Sequence, residues 1–227
     1  MGDGRRPLLA VIGGSGLYNM PELEVLDEIR VATPYGPTSD DIVTGLLAGT
    51  VVAFLPRHGR GHVLSPSEVP YRANIWALKQ IGCQFVLSLS AVGSLRQDIA
   101  PGTFVVVDQF IDRTVGRARS FFGEGLVGHV SFAEPICSVL RKIVLDAARE
   151  CGIENVVDGG TYVCIEGPTF STIAESRLYQ KWGADVVGMT NLPEARLARE
   201  AGLSYATLAM ATDYDAWLDS EEAVCVE

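Results

Sequence analysis

The chain has 227 residues, of which 48% are hydrophobic and 20% charged, and its formal charge is −10. This length suits one large domain or two small ones and can bury about 70–75% of the unfolded surface, which excludes a disordered chain. The acidic balance opposes nonspecific binding to nucleic acid, which relies on Lys and Arg at phosphates, and no apolar run approaches the roughly 20 residues of a membrane span.

At the N-terminus, two arginines precede an apolar stretch of about five residues, too short for a secretory leader. Residues 8–12 predict a buried strand that ends at Gly13-Gly14-Ser15-Gly16. Residues 41–47 and 50–55 predict a strand pair around Gly49. Residues 71–80 carry helix formers, and 85–90 predict the next strand. The Pro101-Gly102 turn introduces a strand over 104–110. Residues 135–151 place Ile136, Val139, Leu140, Ile143, Val144 and Ala147 at helical spacing. Strands follow at 161–165, 185–189 and 204–210, alternating with helices at 172–181 and 193–201, the second with Pro193 near its start. Helices between buried strands predict a single-domain α/β fold, a mixed sheet covered on both faces, with ligands gathered at strand ends. The five cysteines (Cys83, Cys137, Cys151, Cys164, Cys225) are scattered and form no C-x-x-C pair, as expected for reduced thiols in the cytosol.

Several segments carry candidate chemistry, each with a plainer alternative. The glycine loop 13–16 lets backbone N–H groups approach an anion, with Ser15 adding a hydroxyl; it is equally a tight turn leaving a sheet. It is neither a dinucleotide fingerprint nor a Walker loop. In Pro56-Arg57-His58-Gly59-Arg60-Gly61-His62, an arginine offers paired donors to phosphate and an imidazole adds another. The alternative is a solvated basic loop. His58 and His62 have i, i+4 spacing, but the glycines oppose a helix and no carboxylate motif accompanies them, so no metal is expected. Residues 88–94 (SLSAVGS) present small hydroxyl side chains or simply pack closely. In Glu166-Gly167-Pro168-Thr169-Phe170-Ser171, Phe170 could stack on a flat base and Ser171 could meet its edge, unless Phe170 is core. Asp213 and Asp215 point to one face if the chain is extended there. Their repulsion would raise the pKa of one, fitting it to donate a proton to a purine N7, or the pair is a hydrated turn.

Taken together, these segments resemble the methylthioadenosine phosphorylase branch of the trimeric purine nucleoside phosphorylase family. The resemblance runs nearly the whole chain, through Val11-Ile12-Gly13-Gly14-Ser15-Gly16-Leu17, Pro56-Arg57-His58-Gly59, residues 71–78 (YRANIWAL) and residues 108–114 (DQFIDRT). It continues through Ile165-Glu166-Gly167-Pro168, residues 182–187 (WGADVV), Met189-Thr190-Asn191-Leu192-Pro193-Glu194 and residues 209–215 (AMATDYD).

The resemblance implies a mixed, partly barrel-like sheet flanked by helices, in a single domain over 1–227 that stops short of the family's C-terminal helix. Ser15, Arg57, His58, Ser90, Ala91 and Thr190 match phosphate-binding positions. Met189 matches the residue packed on the ribose, Phe170 and Ser171 the purine pocket, and Asp213 and Asp215 the readers of its edge. His129 and Val226 match positions lining the 5′-substituent pocket. Asp213, Arg57 and His58 are the implied catalytic residues. Phosphate is implied as co-substrate, without metal or cofactor, in a cytoplasmic homotrimer whose partners are a purine nucleoside and phosphate, with neither nucleic acid nor membrane. Thr169 stands where many relatives carry arginine, so a local salt bridge is expected to be missing. Rival readings are a phosphorylase for adenosine, inosine or methylthioinosine, a nucleosidase using water, and a non-catalytic purine-binding protein.

Overall fold

The computed structural model describes residues 6–14 and 20–218. Its elements, in chain order, are β1 (Leu9–Gly13), β2 (Glu24–Ile29), β3 (Ile42–Leu47), β4 (Thr50–Pro56), α1 (Tyr71–Ile81), β5 (Phe85–Ser94), β6 (Phe104–Val106) and β7 (Gln109–Arg113). They continue with α2 (Ser138–Glu150), β8 (Val156–Asp158), β9 (Thr161–Ile165), α3 (Ile173–Lys181), β10 (Val186–Gly188), α4 (Asn191–Glu200) and β11 (Ser204–Asp213). A 3-10 turn, Asp215–Trp217, follows.

The strands form one mixed sheet in the order β2-β3-β4-β1-β5-β10-β9-β7, with β11, β6 and β8 branching from β5. The branch positions everything that follows. On one edge of β5, β11 runs parallel from Phe85 to Gly93. On the other edge, β1 pairs with Phe85 to Ser88 and β10 pairs antiparallel with Gly93 and Ser94. Residues 89–92 therefore lie at a fork where β1 leaves and β10 enters. Open α/β sheets bind ligands at such points of divergence.

The core justifies the apolar runs. Ile12, Leu55, Ile75, Leu78, Val86, Leu197 and Ala209 are buried in one cluster spanning the sheet and its helices. Each fully buried aliphatic side chain contributes roughly 1.5–3 kcal/mol. The helix ends follow local chemistry. Gly82, in the left-handed region at φ 107°, closes α1 by donating to the carbonyls of Leu78 and Lys79. Thr172 and Glu175 form a reciprocal capping box at the start of α3. In α4, Leu192 is non-helical (φ −122°, ψ 134°), so regular helix begins at Pro193, as predicted.

One expectation changes and two strands appear that the sequence did not predict. The run predicted as one strand over 104–110 is two, because Val107 and Asp108 break it: β6 joins β11 and β8, while β7 joins β9. Strand β2, an exposed edge paired with β3 across a bulge, carries charged residues and no buried alternation. Strand β8 has three residues, too few for a periodic signal.

Candidate active site

Six segments converge on the fork. The end of β1 meets the end of β4 where the Arg57 N–H donates to the Gly13 carbonyl at 2.9 Å. From β4, Arg57 reaches β5, donating from Nη1 to the Leu89 carbonyl at 3.0 Å and from Nη2 to Ser88 Oγ at 2.7 Å. Ser90 is half-buried and Ala91 exposed, in the stretch of β5 that β1 and β10 leave open. Ser90 Oγ lies 3.3 Å from the Tyr162 hydroxyl of β9, which also takes the Thr190 N–H at 3.4 Å. Arg57, Ser90 and Thr190, predicted from distant parts of the chain, are thus joined through one hydrogen-bonded neighbourhood.

The arginine is held differently from the sequence expectation. Its fork does not present paired donors outward: Nε donates to Glu194 Oε2 at 2.8 Å and Nη2 to Glu194 Oε1 at 3.0 Å. With Ser88 and Leu89 also served, only one of the five guanidinium N–H groups remains uncommitted. Burial works against the charge of Arg57, but the adjacent Glu194 carboxylate outweighs it and the guanidinium stays protonated. His58 is half-buried and places Nδ1 2.8 Å from the Leu64 carbonyl. A carbonyl only accepts, so Nδ1 carries the proton and the neutral ring leaves Nε2 as an acceptor. Burial lowers the His58 pKa, with the charge of Arg57 adding to the effect. The rings of His58 and His62 stack with centroids 4.3 Å apart and do not converge on a common point. Among the described residues, no group of three or more His, Cys, Asp or Glu is arranged to hold a metal.

The carboxylates lie at the far end of the fork. Asp213 pairs in register with Gly93, three residues beyond Ser90 and so about 10 Å along the strand. The two aspartates meet, though not by strand alternation. A bulge at Thr212 shifts the register, the strand ends at Asp213, and Asp215 adopts a left-handed conformation at φ 48°. The Asp215 N–H donates to Asp213 Oδ1 at 2.7 Å, and the Thr212 hydroxyl donates to Asp213 Oδ2 at 2.8 Å. Gly93 makes room for the pair: a Cβ there would lie 3.1 Å from both Asp213 Oδ1 and Asp215 Cβ. The pKa of Asp215 is raised, primarily by burial and only last by Asp213, so repulsion is the smaller cause. Asp215 Oδ2, Ser171 Oγ and Ser176 Oγ are buried without a hydrogen bond of normal geometry, although both hydroxyls lie close enough to favour the charged carboxylate.

Phe170 is 59% exposed, so it is not a core residue and its face is available to a flat ligand. Met189 is half-buried and packs on Gly167, where a Cβ would come within 2.5 Å of its sulfur. Arg117, which the sequence reading did not single out, fixes this wall. It is buried and donates from Nη1 to the carbonyls of Met189 (2.5 Å) and Leu192 (2.7 Å), and from Nη2 to that of Glu166 (2.6 Å). His129 lies exposed in the long connection between β7 and α2, and no described hydrogen bond links it to the other site residues. Ser15 and Val226 lie outside the described residues. A separate cavity of about 870 Å³ holds none of the predicted residues; its walls include the Arg30–Asp41 and Arg60–Asp40 ion pairs.

Tyr162, Glu194 and Asn191 were given no role in the sequence reading, although Asn191 and Glu194 belong to a segment that carries the resemblance. Glu194 gave the clearest available signal, a carboxylate amid the apolar Leu192, Pro193, Ala195, Leu197 and Ala198.

The arrangement can hold an anion at one end of the fork and a flat polar base about 10 Å away, leaving space for a sugar between them. The sequence matches the family model described as the phosphorylase superfamily over residues 8–225. S-methyl-5′-thioadenosine phosphorylase of Cereibacter sphaeroides is 58% identical over 93% of this chain and 73% of its own length. The Gloeobacter violaceus protein of the same name is 55% identical over 96% of this chain and 74% of its own length. Among solved structures, a methylthioadenosine phosphorylase from an Antarctic soil metagenomic library superposes with a TM-score of 0.93 at 52% identity, covering 97% of this chain and 78% of that one. Methylthioadenosine phosphorylase from Schistosoma mansoni, in complex with adenine, gives 0.91 at 42% identity, covering 97% and 83%. The fork, the residues gathered on it and these likenesses agree: the chain belongs to the phosphorylase superfamily.

Proposed function

We propose that this chain is a single-domain nucleoside phosphorylase that cleaves 5′-methylthioadenosine with phosphate, giving adenine and 5-methylthioribose 1-phosphate. The observation carrying this reading is the fork itself. It sets the Arg57, Ser90 and Thr190 neighbourhood about 10 Å from a half-buried carboxyl pair, and Phe170 is exposed. Adenine in the S. mansoni structure supports the choice of base.

Phosphate is bound by Ser90, Ala91 and Thr190, with Ser15 from the glycine loop. His58 Nε2 meets a phosphate hydroxyl, and Arg57 adds one N–H and its charge. Phosphate then attacks C1′ as the glycosidic bond lengthens, with Met189 against the ribose and Phe170 and Ser171 holding the base. Asp213 supplies or shares the proton at N7. Such acid catalysis contributes about 10²–10⁴-fold. The unpaired Oδ2 of Asp215 accepts from an exocyclic amine, which favours adenine over 6-oxopurines. Neither metal nor cofactor takes part in this scheme.

We further read the protein as a cytoplasmic homotrimer in methionine and purine salvage. Exposed Val115, Leu126, Val127 and Val130, in the connection that carries His129, support an assembly in which this segment closes a neighbour's site. The raised pKa of Asp215 favours one second reading, a 6-oxopurine nucleoside such as inosine, because a protonated carboxyl can donate to a carbonyl.

Incubating the purified protein with methylthioadenosine, with and without phosphate, tests the proposal. Adenine release that requires phosphate and yields the sugar 1-phosphate is expected. Phosphate-independent release would make the protein a nucleosidase, and turnover of inosine alone would establish the second reading.

A further inference from the structure

Beneath the phosphate end of the fork lies a buried polar network in which Arg57 alone takes a direct part in the proposed chemistry. Arg57 and Glu194 have side chains 3% and 1% exposed and form a two-pronged ion pair. The Tyr205 hydroxyl donates to Glu194 Oε1 at 2.8 Å. Asn191 Nδ2 donates to the Tyr205 hydroxyl at 3.0 Å and to Thr207 Oγ1 at 2.5 Å, and it reaches Ser88 Oγ at 3.3 Å. Ser88 in turn accepts from Arg57. The network ties β4, β5, β11 and α4 together where their ends approach one another.

It adjoins candidate phosphate residues along the chain. Arg57 precedes His58, Leu89 precedes Ser90, and Asn191 follows Thr190. An isolated charge in this position would be strongly disfavoured, and apolar residues would fill the space at no such cost. An ion pair retained here is therefore suited to fixing geometry. It sets the plane of the guanidinium and leaves one N–H directed away from Glu194, and it holds three backbone segments at fixed separation around the anion. Burial keeps Glu194 from substrate: its side chain is 1% exposed and its oxygens face Arg57 and Tyr205.

We infer that Glu194 is a positioning residue for phosphate: by holding Arg57, and through Tyr205 and Asn191 the start of α4, it keeps the anion's donors in register without touching the anion. This inference rests on the phosphorylase reading above. The opposite electrostatic expectation sharpens the test. If Glu194 served only to neutralise Arg57, its removal would leave a more positive site and tighten binding of the phosphate dianion.

The experiment compares the wild type with Glu194→Gln and Tyr205→Phe. Steady-state kinetics vary phosphate and methylthioadenosine separately, and thermal unfolding is followed against phosphate alone, so that anion binding is also read without turnover. Phosphate dependence in the wild type decides the parent reading independently of either variant. For Glu194→Gln we expect the phosphate KM, and the phosphate needed for thermal protection, to rise about tenfold or more, with the nucleoside KM within about twofold. Tyr205→Phe, which keeps both charges, should move the same quantities by about two- to fivefold, and it decides the matter if Glu194→Gln does not fold. Unchanged or tighter phosphate binding in a folded variant, or equal rises in both KM values, would overturn the inference.

Discussion

Replacing Asp215 with Asn removes a carboxyl that folding pushes toward its neutral form. Burial is the main cause; Ser176, the Ala216 N–H and Ser171 oppose it, and the charge of Asp213 adds slightly to it. A carboxyl whose pKa is raised on folding contributes its stability below the unfolded value near 3.8 and loses it as pH rises through the folded value. Asparagine has the same shape and no such loss. The variant should therefore gain on the parent as pH rises, and the gain should level off above the folded pKa. Every tenfold preference for the protonated form is worth about 1.4 kcal/mol. The side chain is only half-buried and solvent screens part of the effect. In a domain of this size each 1 kcal/mol gained raises Tm by about 2–4 °C. Circular dichroism melts of both proteins between about pH 3 and 8, a range that opens below the unfolded value, provide the measurement. A Tm difference that is constant with pH, or an Asn variant that falls behind as pH rises, would refute the assignment of Asp215 as the carboxyl raised by burial.

Three other substitutions probe the rest of the fork. Asp213→Asn should lower turnover of methylthioadenosine by at least about tenfold and shift relative preference toward 6-oxopurines; unchanged kinetics on both substrate types would remove Asp213 from the mechanism. Gly188→Ala should destabilise the protein by about 1–3 kcal/mol, measured by denaturant titration, because the added methyl overlaps the ring and hydroxyl of buried Tyr162. The phosphate KM should rise with it, since that hydroxyl joins Ser90 to Thr190. Phe170→Ala should raise the nucleoside KM about fivefold, the equivalent of about 1 kcal/mol of stacking, and leave Tm unchanged because the ring is exposed.

Much of the fold was legible because its buried strands are short apolar runs and its helices carry helical periodicity or helix formers between them. Pro193 marked the true start of α4. What the sequence hid has a common cause in long-range pairing. Strand β2 is exposed along nearly its whole length, so only its partner β3 defines it. Val107 and Asp108 look like the interior of a strand, yet the chain there passes from the β11 branch to the β9 branch, and the Asp108 carboxylate takes the Gly160 N–H at the crossing.

The site shows the same division. Residues that face a ligand stood out because glycine, arginine, histidine and aspartate at strand ends suggest chemistry before any partner is known. Those that hold them in place did not, because Tyr162 reads as one more core aromatic in a β-strand and Asn191 as a helix-start residue. Even Arg57, correctly gathered into the fork, was expected to present to phosphate a fork that belongs to Glu194, 137 residues away. A guanidinium cannot announce from sequence which carboxylate it will meet. The same limit applied to Asp213 and Asp215, whose approach depends on a bulge and a left-handed residue and not on strand alternation. In each case the chemistry was local and legible, while the geometry came from strands that meet only at β5. That makes β5 the element on which the proposed function depends: its edge passes from β1 to β10 within four residues, and the proposed anion and base sites lie toward the two ends of that gap.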